Sequence, residues 1–301
     1  MRKFFNTTWR VITFPFILLF NIIAFPFRGL RHIGQFLNEE PPEDRPLIDT
    51  FSSLASEAEA RASLWEHVDA LRMHLLRMII GLAIGVGISF YFTIPLMEYL
   101  AKPVGGLEKL QAIQVTEGIG VYMRVALMSG VAIMLPYLAF ELWLFAAPGL
   151  KARDRKMGLL GIPLATILFL MGLACTYYLL LPPALPWLAN FTNIPQAWTA
   201  NNYFNFVTSL MLWIGLFFEF PLVIYILTSI GLVKPQVLLR QWRLAIVIIA
   251  IIAAIVTPTI DPVNMGLVML PMSLLYFVSI GLSYIAYAGR RRNMPEMETS
   301  G

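Results

Sequence analysis

Four long apolar runs constrain the fold of this chain more than any other feature. They cover residues 75–94, 121–142, 157–181 and 204–230. A helix needs about 20 residues to cross roughly 30 Å of hydrocarbon, so each run is long enough to span a bilayer. With 58% hydrophobic and only 13% charged residues, the chain cannot bury so much apolar surface in one soluble core. Lipid-exposed backbone must satisfy its own hydrogen bonds, which predicts an all-α membrane protein.

Two weaker apolar segments follow these runs. Segment 244–256 is roughly 20 Å long as a helix, which is short for a bilayer. Segment 265–288 is long enough but carries Pro271. We expect both to span. The chain is therefore predicted to have six transmembrane helices, with a short fifth and a short sixth span, and the lipid bilayer as its solvent.

The connecting loops predict the orientation, because Lys and Arg concentrate on the cytoplasmic side of spanning helices. The loops after the second and fourth runs and the end of the sixth segment are basic, with Lys151, Arg153, Arg155, Lys156, Lys234, Arg240, Arg243, Arg290, Arg291 and Arg292. Segment 182–203 and the "TPTIDP" turn hold no Lys or Arg, whereas 95–117 is a mild exception. Both termini are therefore expected in the cytoplasm (N-in, C-in). The "PLMEYLAKPV" stretch within 95–117 suits an amphipathic helix along the outer interface.

The N-terminal region contains a further apolar segment, 11–27, which is interrupted by Pro15, Asn21 and Pro26. Basic residues flank both of its ends and no small-x-small cleavage site follows, so it is not expected to be a signal peptide. An interfacial or re-entrant segment is favoured, with a seventh span as the alternative. The predicted organisation is an N-terminal extension with an acidic linker (1–60), a six-helix transmembrane domain (61–290) and a cytoplasmic tail (291–301).

The chain shows no pattern typical of an enzyme. Cys175 is the sole cysteine, and His32, His67 and His74 are expected to be interfacial or solvated. No phosphate-binding glycine loop, metal-spaced cluster or nucleophile–base pair is evident. We therefore expect no catalytic residues, no metal site and no cofactor. The formal charge of +4 is interpreted as orientation in the membrane and not as nucleic-acid binding.

An acidic residue interrupts the fourth run. Glu219, in "LFFEFPLV", is expected near mid-membrane, where an acidic side chain costs about 2.5 to 3.5 kcal/mol on insertion scales. In one interpretation a protonated Glu219 bonds a nearby carbonyl, such as that of Phe217, which Pro221 leaves unpaired. In the other, Glu219 and Pro221 face a polar group in the membrane span of a partner.

Four stretches, in order, resemble the motifs of one family. "HVDALRMHLL" resembles H-L-x-E-L-R-x-R-L, "FAAPGLKARDRK" resembles F-x-x-P-G-L-x-x-x-E-R, and "FEFP" resembles F-E-x-P. "TPTIDP" with "LPMSLLYF" resembles T-P-x-x-D-P and P-M-x-x-L-Y-E. Jointly they are specific, and over about 66–290 the chain is similar to the TatC family, the core subunit of the twin-arginine protein translocase.

The resemblance implies a receptor and not an enzyme. TatC proteins bind the paired arginines in the signal peptides of folded precursors at the cytoplasmic face, and recruit single-span subunits of the TatA and TatB type. Transport is driven by the proton-motive force. The resemblance further implies a concave, cup-like helix arrangement in an oligomeric complex of the prokaryotic cytoplasmic (inner) membrane.

The resemblance also implies a set of site residues, and this chain departs from the family at two of them. Ala70 replaces one motif glutamate and Asp154 replaces another. Since guanidinium groups pair bidentately with carboxylates, we expect Asp154 to contribute to signal-peptide binding, with Glu66 and Asp69 compensating for Ala70. The alternative for each is a solvated carboxylate that neutralises a neighbour such as Arg153 or Arg72.

Other motif positions divide between structure and function. Phe145 and Pro148 are expected to shape the pocket beside Asp154, with interface anchoring and helix termination as the alternative; Arg72 belongs to the same site. Trp143 is expected to anchor at the membrane interface. On the outer side, Pro103 and Asp261 match family positions, with turn formation as the alternative.

Two other classes of protein remain open at this point. A secondary transporter for a small solute would show paired repeats and several polar groups at the midplane, and we find essentially one such group. A membrane-protein scaffold or insertase would account for the chain if no signal peptide bound to it.

Overall fold

A computed structural model describes residues 58–149, 152–190, 198–257 and 261–292. Within these ranges the regular structure is helical, apart from one isolated bridge between Gln111 and Thr199. Five helical segments are long and apolar enough to cross a membrane: 68–89, 117–146, 158–190, 200–229 and 262–289. The prediction of an all-α, multi-pass membrane protein is confirmed at this level. The N-terminal apolar segment and the acidic linker lie outside the described residues.

The first span ends earlier than predicted. Helix α1 runs over Ala58–Ser89, the chain turns at 90–92, and α2 covers Thr93–Ala101. The expectation that the span continues to residue 94 is wrong, because the helical ladder gives way to i→i−3 bonds from Tyr91 to Ile88 and from Phe92 to Ser89. Side chains of Ser89 and Thr93 also bond backbone at this point. Ser89 Oγ donates to the carbonyl of Ala126 at 2.6 Å, and Thr93 Oγ1 donates to the carbonyl of Ser89 at 2.8 Å. The helix expected in "PLMEYLAKPV" is present as α2 and a 3₁₀ turn at Lys102–Val104.

A 3₁₀ turn follows the second span, before the third. The elements in order are α3 Glu117–Ala146, a 3₁₀ turn Ala147–Gly149, α4 Ala152–Cys175, a π-helical turn Thr176–Leu180 and α5 Leu181–Asn190. The π-helical turn begins where Thr176 Oγ1 donates to the carbonyl of Gly172 at 2.9 Å. An extra residue per turn of this kind locally rotates the side chains that follow.

The fourth span is two helices, and the last spans differ in length. The remaining elements are α6 Ala200–Phe218, α7 Phe220–Ser229, α8 Pro235–Arg240, α9 Trp242–Val256 and α10 Pro262–Arg292. With 15 residues, α9 is about 22 Å long and is the short element that was predicted. The prediction of a short sixth span is wrong. α10 has 31 residues and continues through Pro271, since packing along α7 and α9 holds it and a proline removes only one ladder bond.

The described chain divides into two compact units. The first contains the described residues up to Gly81 together with those of Tyr137–Leu159, and the second contains Leu82–Pro136 and the described residues from Leu160 onward. In the second unit α6 forms much of the core, and its largest buried side chains include Tyr203, Phe204, Leu210 and Ile214. The predicted division at residues 60 and 61 falls inside α1.

Close helix contacts in the second unit depend on glycine. A Cβ placed on Gly172 of α4 would lie 2.7 Å from the Cα of Gly215 on α6, and one on Gly130 would lie 2.8 Å from the backbone nitrogen of Val86. Small residues let membrane helices approach backbone to backbone, which is how such helices associate without a hydrophobic driving force between them. Buried hydroxyls add to this packing: Thr228 and Ser283 hydrogen-bond across α7 and α10 at 2.8 Å.

Candidate functional site

The residues predicted to bind a signal peptide all belong to the first unit. Asp69 and Arg72 are exposed on α1, Phe145 is half-buried near the end of α3, and Pro148 is exposed in the turn that follows. The side chains of Glu66 and Asp154 lie outside the described residues. The predicted set is thus distributed over the start of α1 and the α3–α4 turn.

A buried carboxylate that the sequence analysis overlooked lies in the same unit. Glu141 on α3 is completely buried, and its Oε2 lies 2.7 Å from Nδ1 of His74 on α1. Tyr137, one turn earlier, donates from its hydroxyl to Oε1 at 3.0 Å. Arg77 completes the group, with Nη1 3.9 Å from Oε2. We call these four residues the Glu141 cluster.

The Glu141 cluster is costly to break. A buried charge is tolerated only when it is paired and hydrogen-bonded, and removing one partner of a buried ion pair typically costs about 3–5 kcal/mol. His74 and Arg77 are three residues apart and therefore lie on one face of α1, both against Glu141. His74 was expected to be interfacial or solvated, and the solvated alternative is wrong, because its side chain is 15% exposed and bonded to Glu141.

The α3–α4 turn is held by a buried arginine. Arg155 is 4% exposed, and its Nε donates to the carbonyl of Ala147 at 2.8 Å while Nη2 reaches the carbonyl of Pro148 at 3.4 Å. In return, Trp143 Nε1 donates to the carbonyl of Arg155 at 3.1 Å. The bonds from Arg155 satisfy carbonyls of the 3₁₀ turn that follows α3. The described part of the turn is therefore held by a side chain of α4.

The contacts at this turn change two expectations drawn from the sequence, one for Trp143 and one for Arg155. Trp143 was expected to be an interface anchor, but it is 6% exposed and packs so closely on Gly158 that a Cβ there would lie 2.7 Å from the indole. Arg155 was counted only as a basic loop residue, although its guanidinium lies inside the protein. An indole N–H and a guanidinium both require partners when buried, and here each donates to backbone carbonyls: the indole to that of Arg155 and the guanidinium to those of Ala147 and Pro148.

Phe145 connects the turn to the Glu141 cluster. Its ring meets the imidazole of His74 edge to face, with centroids 6.0 Å apart and an interplanar angle of 66°. Phe145 is the only residue of the predicted signal-peptide set for which the described contacts include a member of the cluster. The available sequence signal for this region was Glu141 itself, a carboxylate inside the apolar stretch "LAFELWLF".

Glu219 lies at the break in the fourth span. It ends α6 and precedes α7, which begins with Phe220 and the buried Pro221. Glu219 Oε1 is buried without a hydrogen-bond partner in the described part of the chain. The backbone N–H of Glu219, and not its Oε1, bonds the carbonyls of Leu216 and Phe217. Phe217 and Phe220 stack beside the break with centroids 5.7 Å apart.

Pro103 and Asp261 occupy turns in the second unit. Pro103 is exposed in the 3₁₀ turn after α2. Asp261 directly precedes α10, where its Oδ1 accepts from the backbone nitrogen of Asn264 at 2.8 Å and its Oδ2 accepts from the Asn264 amide at 2.9 Å. This is the geometry of a helix N-cap. The described contacts of Asp261 are thus those of the turn-forming alternative.

Five apolar spans with a few buried ionisable groups define a helical, multi-pass membrane protein. The family model described as "Sec-independent protein translocase protein (TatC)" matches residues 66–271. The chain belongs to the TatC family, and it is therefore a subunit of a protein translocase.

Relatives and solved structures agree with this assignment. TatC of Koribacter versatilis is 30% identical over 263 residues, covering 84% of this chain and 97% of the relative. TatC of Deinococcus radiodurans is 32% identical over 254 residues, with 81% and 92% covered. A crystal structure of the twin-arginine translocase receptor TatC matches with a TM-score of 0.65 at 30% identity, covering 73% of this chain and 99% of that one.

Proposed function

We propose that this protein is the receptor subunit of a twin-arginine translocase, binding the twin-arginine signal peptides of folded precursors at the cytoplasmic face. The observation that carries the proposal is the family match over 66–271, which includes the α1 motif, the α3–α4 turn and the "FEFP" break. Related structures bear the description of a twin-arginine translocase receptor. The protein acts by binding, without catalysing a reaction of its own, and export is driven by the proton-motive force.

The proposed peptide site combines carboxylates with an ordered turn. Asp154 supplies the main carboxylate, with Glu66 and Asp69 replacing the glutamate missing at Ala70. A carboxylate accepts two parallel bonds from a guanidinium, which makes it selective for arginine over lysine. Phe145 and Pro148 flank the carboxylates, and Arg72 orients them. The bonds from Arg155 to the turn support the proposal, since an ordered turn binds at a lower entropic cost.

The proposed topology has six spans with both termini in the cytoplasm of a prokaryote. Helix α9 is the fifth span despite its 15 residues, and the helices form a concave, cup-like arrangement. The exposed Lys234, Arg240 and Arg243 precede or begin α9 and favour a cytoplasmic loop there. The protein works in an oligomeric complex in the cytoplasmic membrane.

Glu219 and Pro221 are proposed to contact a single-span partner of the TatA or TatB type. Glu219 is half-buried, and its Oε1 has no hydrogen-bond partner in the described part of the chain. Both observations support this, because a carboxyl in the membrane gains from a bond to a polar group on another span. Glu219→Gln is expected to keep much of the crosslinking of partner spans to this helix, and Glu219→Ala to lose it. Equal crosslinking yields for the parent and the Ala variant would contradict the partner role, while loss of folded protein in the Ala variant would favour a structural role.

The receptor function is tested by crosslinking a twin-arginine precursor to the protein in membranes, with a twin-lysine precursor as control. The twin-arginine precursor alone is expected to crosslink. Asp154→Ala is expected to weaken binding at least about tenfold, since one charge-assisted partner is lost. Glu98→Ala removes an exposed carboxylate on α2 and is the matched control. Equal binding of both precursors overturns the function, and unchanged binding by Asp154→Ala overturns the role of that residue.

A further inference from the structure

The Glu141 cluster is not used by the proposed peptide site, yet Glu141 is the most deeply buried ionisable residue of the first unit among those whose burial the structure describes. Glu141 has no exposed surface, whereas the side chains of His74 and Arg77 are 15% and 13% exposed. The carboxylate therefore cannot be reached by an incoming arginine. Its interactions are all internal, with α1 on one side and Tyr137 of its own helix on the other.

The cluster joins the two elements that carry the predicted peptide site. Through His74 and Arg77 it holds α1, the helix on which Asp69 and Arg72 lie exposed. Gly81, two turns further along α1, brings the helix so close to α3 that a Cβ there would collide with the Tyr137 ring. The contact at Glu141 therefore determines how the start of α1 sits on the end of α3.

The cluster also reaches the turn. His74 is bonded to Glu141 through Nδ1 and contacts Phe145 with its ring. The bond to Glu141 restricts how the imidazole is oriented, and the imidazole packs against one side of Phe145. Phe145 leads directly into the turn that Arg155 holds from the other side. A rotation of His74 would thus be transmitted to Phe145.

We propose that Glu141 is a positioning residue for signal-peptide binding, acting through His74 on Phe145 and on the exposed face of α1. The inference rests on the proposed receptor function. Glu141 orders the imidazole, the imidazole orders the Phe145 ring, and Phe145 with Asp69 and Arg72 meets the peptide. Binding sites require support of this kind, because a site held about 1 Å too loosely loses much of its affinity.

The test compares variants that remove the hydrogen bond between Glu141 and His74 with variants that keep it. Glu141→Gln can still bond His74 and Tyr137 and is expected to bind twin-arginine peptide within about threefold of the parent. Glu141→Leu is expected to bind at least about tenfold more weakly, with a lower ratio of twin-arginine to twin-lysine affinity. Leu142→Ala, at a 59% exposed neighbour, is the matched control and is expected to bind like the parent.

A double-mutant cycle separates positioning from general loss of packing. Phe145→Leu is expected to weaken binding alone but to add little in the Glu141→Leu background, because both changes affect the same contact. If Glu141→Leu does not fold, His74→Leu replaces it in the cycle, since Glu141 then retains Tyr137 and Arg77. Thermal unfolding of each variant in detergent identifies folded protein.

The outcomes distinguish the two hypotheses. A parent protein that binds twin-arginine and twin-lysine peptides equally overturns the receptor function. A selective parent whose folded Glu141→Leu or His74→Leu variant binds with parental affinity overturns only the positioning role. Additive effects of Glu141→Leu and Phe145→Leu also overturn it. Selective loss in Glu141→Leu, retention in Glu141→Gln and coupling to Phe145 support it.

Discussion

Replacing Glu219 by methionine should stabilise the isolated protein while removing its proposed partner contact. The carboxyl lies at the break between α6 and α7, and its Oε1 is buried without a partner in the described part of the chain. Methionine has a similar length, is unbranched and adapts to irregular gaps. The substitution therefore removes the polar atoms and keeps most of the packing around Pro221.

The magnitude follows from the unmade hydrogen bond. A buried polar atom left unsatisfied costs about 1–3 kcal/mol, so Glu219→Met should raise the free energy of unfolding by about that amount. At roughly 2–4 °C per kcal/mol for a domain of this size, the unfolding midpoint should rise by about 2–12 °C. The backbone break remains, because Pro221 lacks an N–H in both proteins.

Thermal unfolding in detergent, followed by tryptophan fluorescence, measures the change. Glu98→Met, an exposed carboxylate on α2, should alter the unfolding free energy by no more than about 0.5 kcal/mol. A lower midpoint for Glu219→Met than for the parent would refute the reasoning, since it would mean that the carboxyl makes a stabilising contact. In membranes with the partner subunits present, the same variant should lose crosslinking to the partner span.

Two further outcomes follow from helix packing and helix length. Gly172→Ala should lower the unfolding free energy by about 1–3 kcal/mol, because its Cβ would lie 2.7 Å from the Cα of Gly215. Gly281→Ala, in a helix with nothing within 4 Å, should be neutral or stabilising, and equal destabilisation of both would contradict the close-contact explanation. Because α9 is about 22 Å long against roughly 30 Å of hydrocarbon, a spin label at Thr257 should lie below headgroup depth in a locally thinned bilayer. A label at full headgroup height would rule the thinning out.

Hydropathy predicted the spans well, because satisfying the backbone in lipid leaves helices as the open choice for an apolar run. The short α9 and its end at Val256 follow from the sequence in this way. The hydrogen bonds that side chains make at helix ends were harder to predict. At the end of α1, Ser89 bonds the carbonyl of Ala126, a contact with another helix that no local pattern contains.

The motif residues of the candidate site could be predicted from the sequence, whereas the buried contacts that hold them in place could not. Asp261 precedes a helix and caps it, as the local sequence indicates. The pairing of Glu141 with His74 joins residues 67 positions apart, and its existence depends on how α1 packs on α3. The burial of Trp143 and Arg155 was not predicted for the same reason, since an aromatic and a basic residue near a helix end are usually interfacial. Here both are buried: the Trp143 indole donates to the backbone carbonyl of Arg155, and the Arg155 guanidinium donates to the carbonyl of Ala147.

Glu117 at the start of α3 has a consequence for biogenesis. Its carboxylate accepts hydrogen bonds from the backbone N–H groups of Ile113 and Gln114. It also accepts one, at 2.6 Å, from the backbone N–H of Asn201, which is 84 residues further along. The neighbouring bridge from Gln111 to Thr199 joins the same two segments. At synthesis rates of about 5–20 residues per second, Asn201 emerges roughly 4–17 s after Glu117. The contacts between the first connection and this segment therefore cannot form until the third span has been made and the start of the fourth has emerged.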